Sequence, residues 1–282
     1  MTAERPPGKP AGLTGVPTGL TSLPTELTAA VDGLCRTPRL LVAMDFDGTM
    51  SPLVPLAGDA RPLPATASAF AAIAKLPSTT TALISGRALA SLRVVATPPR
   101  ESLLIGSHGA EVWLGPDAEP LTLSRAGAEL LARTSTILQD IAGRHAGTLL
   151  EMKPAGVVLH TRLAEQLVAA SAVAQAHQAL DALPGVYVSE GKRVLEVSVL
   201  KADKGDGLRV LRGAAHPTAV LFAGDDVTDE HGFRALELDD VGVKVGAGET
   251  AARFRIGSPE AVTPLLELVL SRRTTYLNKS AQ

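Results

Sequence analysis

An apolar run that ends in two aspartates is the feature that most constrains the fold of this chain. Residues 40–46 are predicted to form a β-strand, with Asp45 and Asp47 at its carboxyl end and Gly48 after them. Side chains alternate along a strand, so the two carboxylates begin on one face and repel each other unless a cation or a proton intervenes. In open parallel sheets, ligands bind at such strand ends. The fragment favours a metal-assisted site, although a structural strand followed by a polar turn without any function could have the same residues.

Strands and helices alternate on both sides of this run. Apolar and β-branched segments predict strands over residues 40–46, 79–84, 102–105, 219–223 and 241–245. Helical spacing predicts helices over residues 26–35, 65–76, 88–95, 204–213, 228–236 and 259–270. This alternation predicts an α/β core domain with a Rossmann-like parallel sheet, formed by residues 24–115 and 201–282.

The pattern changes between residues 116 and 200. Helices are predicted over residues 124–143 and 163–183, and strands over residues 147–152, 156–162, 186–189 and 193–199. Strands that follow one another directly form an antiparallel or mixed sheet, so this segment is expected to be an inserted α+β cap domain. Residues 1–23 are rich in Pro, Gly and Thr without periodicity, and are expected to be a disordered tail.

Composition fits an enzyme better than a nucleic-acid-binding or membrane protein. The 282 residues are 45% hydrophobic and carry a net charge of −2, whereas non-specific nucleic-acid binding needs basic surfaces. Aromatic residues make up only 3%, too few for a platform that stacks bases. Cys35 is the single cysteine, which excludes a disulfide framework and fits a reducing cytoplasm. No apolar stretch is long enough to span a bilayer, so we expect a cytoplasmic monomer that acts on a small molecule.

Three further loops at predicted element boundaries carry polar residues. Ser85 follows the second core strand, Lys204 begins a helix, and the acidic run of residues 224–229 follows the strand over residues 219–223. A hydroxyl and a lysine suit a phosphate, and crowded carboxylates suit Mg²⁺. Each has a simpler explanation alone: a turn, a surface lysine, or an aspartate that caps the next helix. Together, in this order, they indicate a Mg²⁺-assisted reaction on a phosphate.

The four loops resemble the motifs of the haloacid dehalogenase-like superfamily of phosphatases. The resemblance implies that Asp45 attacks phosphorus to form an aspartyl-phosphate, and that Asp47 acts as acid and then as base. It also implies a metal site and a phosphate site. The metal site would comprise Asp45, Asp47 through its main-chain carbonyl, Asp225 and Asp226, with Asp229 in support; the phosphate contacts would be Thr49, Ser85, Gly86 and Lys204.

Within this superfamily the chain resembles the trehalose-6-phosphate phosphatases. The strings that carry the resemblance are Ile84-Ser85-Gly86-Arg87, Ser107-His108-Gly109-Ala110-Glu111, Phe222-Ala223-Gly224-Asp225-Asp226-Val227-Thr228-Asp229-Glu230 and Val243-Lys244-Val245-Gly246. The resemblance implies hydrolysis of trehalose 6-phosphate, with a cap that holds the glucose hydroxyls. The expected sugar contacts are Arg87, His108, Glu151, Lys153, Arg162 and Glu196.

Residue types in the cap fit a sugar independently. Glu151 and Lys153 share one face of a predicted strand, and carboxylates and ammonium groups match the many hydroxyls of a disaccharide. The same residues would also suit cross-strand ion pairs on an exposed sheet. A second lysine, Lys201, leaves the choice of phosphate-binding lysine open, although Lys204 aligns best because Gly205 follows it.

Other functions stay open on the sequence alone. A related phosphatase that acts on sucrose 6-phosphate or another sugar phosphate would differ in its cap rather than in its core. A non-catalytic sugar-phosphate sensor on the same fold has no need of a nucleophile and an acid together, which Asp45 and Asp47 provide. A phosphomutase is disfavoured because it requires a second phosphate site.

Overall fold

The computed structural model of the protein describes residues 23–116, 122–191 and 193–280, so the expected disordered tail lies almost wholly outside the described residues. The first part of the chain forms α1 (Thr25–Leu34), β1 (Leu40–Met44), α2 (Pro64–Ala74), β2 (Thr79–Ile84), α3 (Leu89–Ala96), β3 (Leu103–Gly106) and β4 (Glu111–Trp113). The middle part forms α4 (Arg125–Arg144), β5 (Leu149–Lys153), β6 (Gly156–His160), α5 (Gln166–Leu180), β7 (Tyr187–Gly191) and β8 (Val194–Ser198). The last part forms α6 (Lys204–Ala215), β9 (Ala219–Gly224), α7 (Asp229–Arg234), β10 (Val241–Val245), β11 (Phe254–Ile256) and α8 (Val262–Ser280). None of the helices in these ranges is both long and apolar enough to cross a membrane.

The larger sheet brings the carboxyl ends of its central strands to one edge. It has seven strands in the order β11-β10-β9-β1-β2-β3-β4. Strand β1 pairs in parallel with both β2 and β9, and β9 pairs in parallel with β10. The loops after these strands therefore meet at the same edge, where ligands bind in sheets of this kind. The predicted α/β core with a parallel sheet is confirmed.

Strand β1 is apolar throughout because both of its faces are covered. Each of its residues is at most 1% exposed. Leu40, Val42 and Met44 pack into a cluster with α1, α2 and α8, whereas Leu41 and Ala43 pack with α6 and α7. A strand buried on both sides reads as a continuous apolar run rather than an alternating one. Charged residues can therefore enter only where the strand leaves the core, immediately after Met44.

The sequence patterns predict neither β4 nor β11. Both strands have three residues, too few for a period to stand out. Strand β11 extends the parallel sheet beside β10, but β4 runs antiparallel to β3. The reversal before β4 takes a tight turn in which Ser107 and His108 have positive φ angles. The large sheet is thus parallel except at this edge.

The segment between the two parts of the core forms a second sheet. Its strands have the order β5-β6-β8-β7, and every pair is antiparallel. Helices α4 and α5 cover one face with an apolar cluster of their own. On the other face, Glu151, Val158 and Glu196 form one row across three strands. The predicted α+β insert is confirmed as a fold, while its boundaries near residues 116 and 200 stay predictions.

Candidate functional site

A buried carboxylate lies at the end of β1. Asp45 is 3% exposed, and its main-chain N–H donates to the Ala223 carbonyl at 2.9 Å. Its Oδ1 accepts a hydrogen bond from Lys204 Nζ at 2.7 Å. Its Oδ2 is also buried and has no hydrogen-bond partner among the described residues. Such an oxygen is unfavourable unless a ligand satisfies it, so Oδ2 is the atom available for an incoming group.

Lys204 joins two carboxylates at the first turn of α6. Its Nζ donates to Asp45 Oδ1 and to Asp229 Oδ1, each at 2.7 Å. Asp203 and Asp206 form a capping box that fixes this end of the helix. Burial alone would lower the pKa of Lys204, but the two carboxylates outweigh burial and raise it. A permanent positive charge therefore lies beside Asp45.

Three acidic side chains meet at this point. Carboxylate oxygens of Asp45, Asp225 and Asp229 lie within 4.8 Å of one another. Burial raises the pKa of Asp45 well above its usual range, and burial together with Asp229 raises the pKa of Asp225 to about 6. When ionised, the three carboxylates and Lys204 carry a formal charge of −2. This all-oxygen donor set fits a divalent cation such as Mg²⁺.

A tight turn at Gly48 lets the loop after β1 approach Asp225 closely. Gly48 has a φ of +81°, and a Cβ atom built there would lie 2.1 Å from Asp225 Oδ2. Only glycine allows both the backbone conformation and this approach. Thr49 is buried, and its hydroxyl is 3.5 Å from Asp225 Oδ1. The structure thus places Thr49 against Asp225, and it does not line the cleft.

The structure brings Asp229, rather than Asp226, to the acidic group. Asp229 is fully buried, and its Oδ2 accepts a hydrogen bond from the Asp226 main-chain N–H at 2.9 Å. The Asp226 side chain is exposed and accepts from the Val227 N–H at 2.6 Å. Asp229 therefore shapes the loop and contacts Lys204 at the same time. The sequence alone left it between a helix cap and a supporting role.

Asp47 and Arg87 form a two-pronged ion pair. Arg87 Nε and Nη2 each donate to one oxygen of the Asp47 carboxylate, both at 2.6 Å. Ser85, at the end of β2, is 1% exposed, and its hydroxyl accepts from the Arg87 N–H at 3.2 Å. Arg87, expected to contact sugar, is thus engaged with the residue expected to transfer protons. A guanidinium in this geometry fixes the carboxylate in one orientation.

Polar residues of the second sheet face this edge of the core. Lys153 Nζ donates to the Gly86 carbonyl at 3.1 Å and lies 3.5 Å from Glu196 Oε1. Glu196 Oε2 is 3.4 Å from Nε2 of His108, a core residue. Burial by itself would raise the pKa of Glu196, but hydrogen bonds from His108 and Lys153 outweigh it and lower the pKa to about 2. Glu196 therefore pairs with both Lys153 and His108 across the crevice.

Two more of the expected sugar contacts, Glu151 and Arg162, are hydrogen-bonded to other residues of the protein. Glu151 Oε2 is paired with His160 Nε2 at 2.9 Å. Arg162 Nη1 donates to the Pro55 carbonyl of the core at 2.7 Å. The alternative lysine, Lys201, is exposed and does not contact Asp45. Of the two lysines, Lys204 is the one that lies beside Asp45.

A single cleft of about 360 Å³ collects most of the expected residues. This volume falls in the range of small-molecule sites. Asp225 and Thr49 do not line the cleft and lie against each other instead. The expected residues that line the cleft are Asp45, Asp47, Ser85, Gly86, Arg87, His108, Glu151, Lys153, Arg162, Glu196, Lys204 and Asp226.

Two buried charged residues near the acidic group, Lys244 and Glu230, are not among the functional residues predicted from the sequence. Lys244 Nζ donates to the Asp225 carbonyl at 2.5 Å, and Glu230 lies 3.7 Å from the same amine. The signal for Lys244 is a lysine in the middle of an apolar strand. Glu230 follows the acidic run and gives no comparable signal.

Known proteins are similar to this chain in both sequence and fold. Residues 43–257 match the family described as trehalose-phosphatase. A trehalose-phosphate phosphatase of Mycobacterium marinum is 33% identical over 260 residues, covering 86% of this chain and 64% of that protein. The C-terminal domain of Candida albicans trehalose-6-phosphate phosphatase has a TM-score of 0.72 at 21% identity, covering 89% of this chain and 99% of that domain. A haloacid dehalogenase-like hydrolase of Bacillus subtilis has a TM-score of 0.54 at 15% identity, covering 80% and 98%. The first curated relatives are longer, and the chain spans 32% to 64% of their length.

Proposed function

Because the chain belongs to the trehalose-phosphatase family, we propose that it hydrolyses trehalose 6-phosphate to trehalose and phosphate. One observation carries this proposal: Asp45 has a buried, unpartnered oxygen beside a protonated lysine and two further carboxylates. The arrangement suits a nucleophile that attacks an anion, because neighbouring positive charge is needed to bring a phosphate against a carboxylate.

Asp45 and Asp47 divide the first step between them. Oδ2 of Asp45 forms a bond to phosphorus while the bond from phosphorus to the sugar oxygen breaks. A proton from the carboxyl group of Asp47 goes to the leaving oxygen, which becomes the sugar hydroxyl. Arg87 donates to both oxygens of the ionised Asp47 carboxylate and orients it before the substrate arrives, so Asp47 has to take up a proton before it can act as the acid.

The second step regenerates the enzyme. Asp47, now ionised, takes a proton from a water molecule whose oxygen attacks phosphorus. The bond between phosphorus and Asp45 breaks, and phosphate leaves while Asp45 recovers its carboxylate. Two displacements on one phosphorus atom replace a single difficult attack by water.

Residues that would hold one Mg²⁺ ion, and three residues that would contact the phosphate, complete the proposed site. Asp45, Asp225 and the Asp47 carbonyl would hold the metal, with Asp226 and Asp229 shaping the loop. The ion, when bound, supplies positive charge against the phosphoryl oxygens. Ser85, Gly86 and Lys204 would bind those oxygens from the protein side, and Thr49 would support Asp225.

The cap side of the cleft is proposed to select the sugar. Glu151, Lys153 and Glu196 offer acceptors and a donor to the glucose hydroxyls, with Arg162 and the core residue His108 at the edges. Their present partners are one another, His160 and main-chain carbonyls, all of which sugar hydroxyls can replace. Selection would thus come from exchanging protein hydrogen bonds for substrate hydrogen bonds.

The test is phosphate release from a panel of trehalose 6-phosphate, sucrose 6-phosphate, glucose 6-phosphate and an aryl phosphate, with Mg²⁺ and with a chelator. We expect the highest kcat/KM for trehalose 6-phosphate, and loss of all activity in chelator. Equal rates on all sugar phosphates would contradict the substrate, and full activity in chelator would contradict the metal.

A cap variant separates sugar selection from chemistry. Glu151→Ala should lower kcat/KM for trehalose 6-phosphate by about 10- to 100-fold while leaving turnover of the aryl phosphate nearly unchanged. Glu129→Ala is the matched control, since Glu129 lies on α4 with a side chain 63% exposed. Equal losses on both substrates in Glu151→Ala would show that the cap residue does not contact the sugar.

A further inference from the structure

Lys244 is a charged residue inside the large sheet. It is the fourth residue of β10, a strand in which every residue is buried, and it is only 4% exposed. Lysine is almost never buried to this extent unless its charge is compensated. The chain therefore keeps a cation at a position where an aliphatic side chain would be the ordinary choice.

The amine of Lys244 reaches past the strand end to the acidic loop. Its Nζ donates to the main-chain carbonyl of Asp225 at 2.5 Å and lies 3.4 Å from that of Asp226. The register explains this reach, because Lys244 pairs with Gly224, the last residue of β9. The lysine thus contacts the backbone carbonyls of the two aspartates rather than their carboxylates.

Glu230 compensates the charge and ties the loop to its surroundings. Glu230 Oε1 lies 3.7 Å from Lys244 Nζ, and Glu230 Oε2 accepts from the Ala251 N–H at 2.7 Å. On the opposite side of the loop, Asp229 accepts from the Asp226 N–H at 2.9 Å. The short segment of residues 225–226 is therefore held through its carbonyls by Lys244 and through an N–H by Asp229.

We propose that Lys244 is a positioning residue for the Mg²⁺ site, acting with Glu230 through the backbone of the acidic loop. The lysine fixes the carbonyls of Asp225 and Asp226, so that the Asp225 carboxylate faces Asp45. This inference rests on the Mg²⁺ site of the proposed function. Residues that orient metal ligands without touching the metal change metal affinity by about 10- to 100-fold when they are replaced.

The sign of the effect distinguishes positioning from simple electrostatics. A lysine near a cation site repels the cation, so removal of its charge alone would tighten Mg²⁺ binding. Loss of the tether would instead let the loop move and weaken binding. The positioning role predicts the second result for Lys244→Met, which keeps an unbranched side chain and removes the amine.

The experiment is Mg²⁺ binding to the full chain by isothermal titration calorimetry, with melting in chelator as a check on folding. Lys244→Met should weaken binding by about 10- to 100-fold, and Lys244→Arg should restore most of it. The matched control is Arg255→Met, because Arg255 is exposed on β11 and donates to the Gly246 and Gly248 carbonyls near the same sheet edge. The control should bind Mg²⁺ like the wild type.

Every result of the Mg²⁺ titrations either supports the positioning role of Lys244 or contradicts it. Wild-type affinity or tighter binding in Lys244→Met would overturn this inference alone, whereas no binding by the wild type would also overturn the metal site of the proposed function. If Lys244→Met does not fold, the double variant Lys244→Met/Glu230→Gln removes both buried charges. Its Mg²⁺ affinity is then compared with that of the wild type, with the same expected and contradicting results. If neither variant folds while Lys244→Arg does, the lysine serves folding only and the inference is wrong.

Discussion

Replacement of Glu196 by glutamine tests the contact between cap and core. Glu196 lies between Lys153 and His108, at 3.5 Å and 3.4 Å. These partners outweigh the burial that would raise its pKa and lower that pKa from 4.5 to about 2. At about 1.4 kcal/mol for each pKa unit, the shift corresponds to at most about 3.5 kcal/mol. The side chain is 27% exposed, so screening by solvent reduces the figure to about 1–2 kcal/mol.

The pH dependence follows from the direction of the shift. A carboxyl whose pKa is lower in the folded state stabilises the protein fully above its unfolded pKa. That stability is lost as the pH falls through the folded value. For Glu196 the window runs from 4.5 down to about 2. The stability difference between wild type and Glu196→Gln should therefore be largest near neutral pH and shrink in acid.

The assay is thermal unfolding of both proteins from about pH 7 to about pH 3. Near neutral pH we expect Glu196→Gln to melt about 2–6 °C lower than the wild type, with the gap narrowing towards acid. Glu129→Gln, which removes an exposed carboxylate from α4, should show no such gap. A constant gap across the pH range, or none at neutral pH, would refute the reasoning.

Three further variants probe other parts of the account. Arg87→Met should lower kcat by about 10- to 100-fold with little change in KM, because Asp47 loses its orientation; a change in KM alone would instead make Arg87 a sugar contact. Gly48→Ala should weaken Mg²⁺ binding in calorimetry, because its Cβ would meet Asp225; unchanged binding would contradict this. Arg273→Met should lower the free energy of unfolding in denaturant by about 3–5 kcal/mol, because it leaves four carbonyls and a hydroxyl around this buried side chain without their donor; a loss below about 1 kcal/mol would contradict this.

The strand ends were predictable because each follows a long, strongly patterned segment. The apolar run before Asp45 and the β-branched run before Ser85 indicate buried parallel strands. Alternation likewise puts Glu151 and Lys153 on one face of β5. These patterns are local, so they can be recognised from residues that are adjacent in the sequence.

Pairings between distant residues could not be read in this way. The ion pair of Arg87 with Asp47 joins two loops 40 residues apart. The approach of Asp229 to Asp45 depends on the pairing of β1 with β9. Lys244 reaches the acidic loop because its side chain extends from β10 past the end of β9, and the local pattern does not give the direction of a side chain. Such contacts depend on sheet order and side-chain direction, which local patterns leave open.

The central claim is that Asp45 attacks the phosphate of trehalose 6-phosphate, and Asp45→Asn tests it most directly. Asparagine keeps the shape of the side chain and an oxygen that can accept from Lys204, but it removes the carboxylate nucleophile. With Mg²⁺ present, we predict that phosphate release from trehalose 6-phosphate falls by at least about 1,000-fold, while the melting temperature shows that the variant is folded. Phosphate release within about tenfold of the wild type would contradict the account.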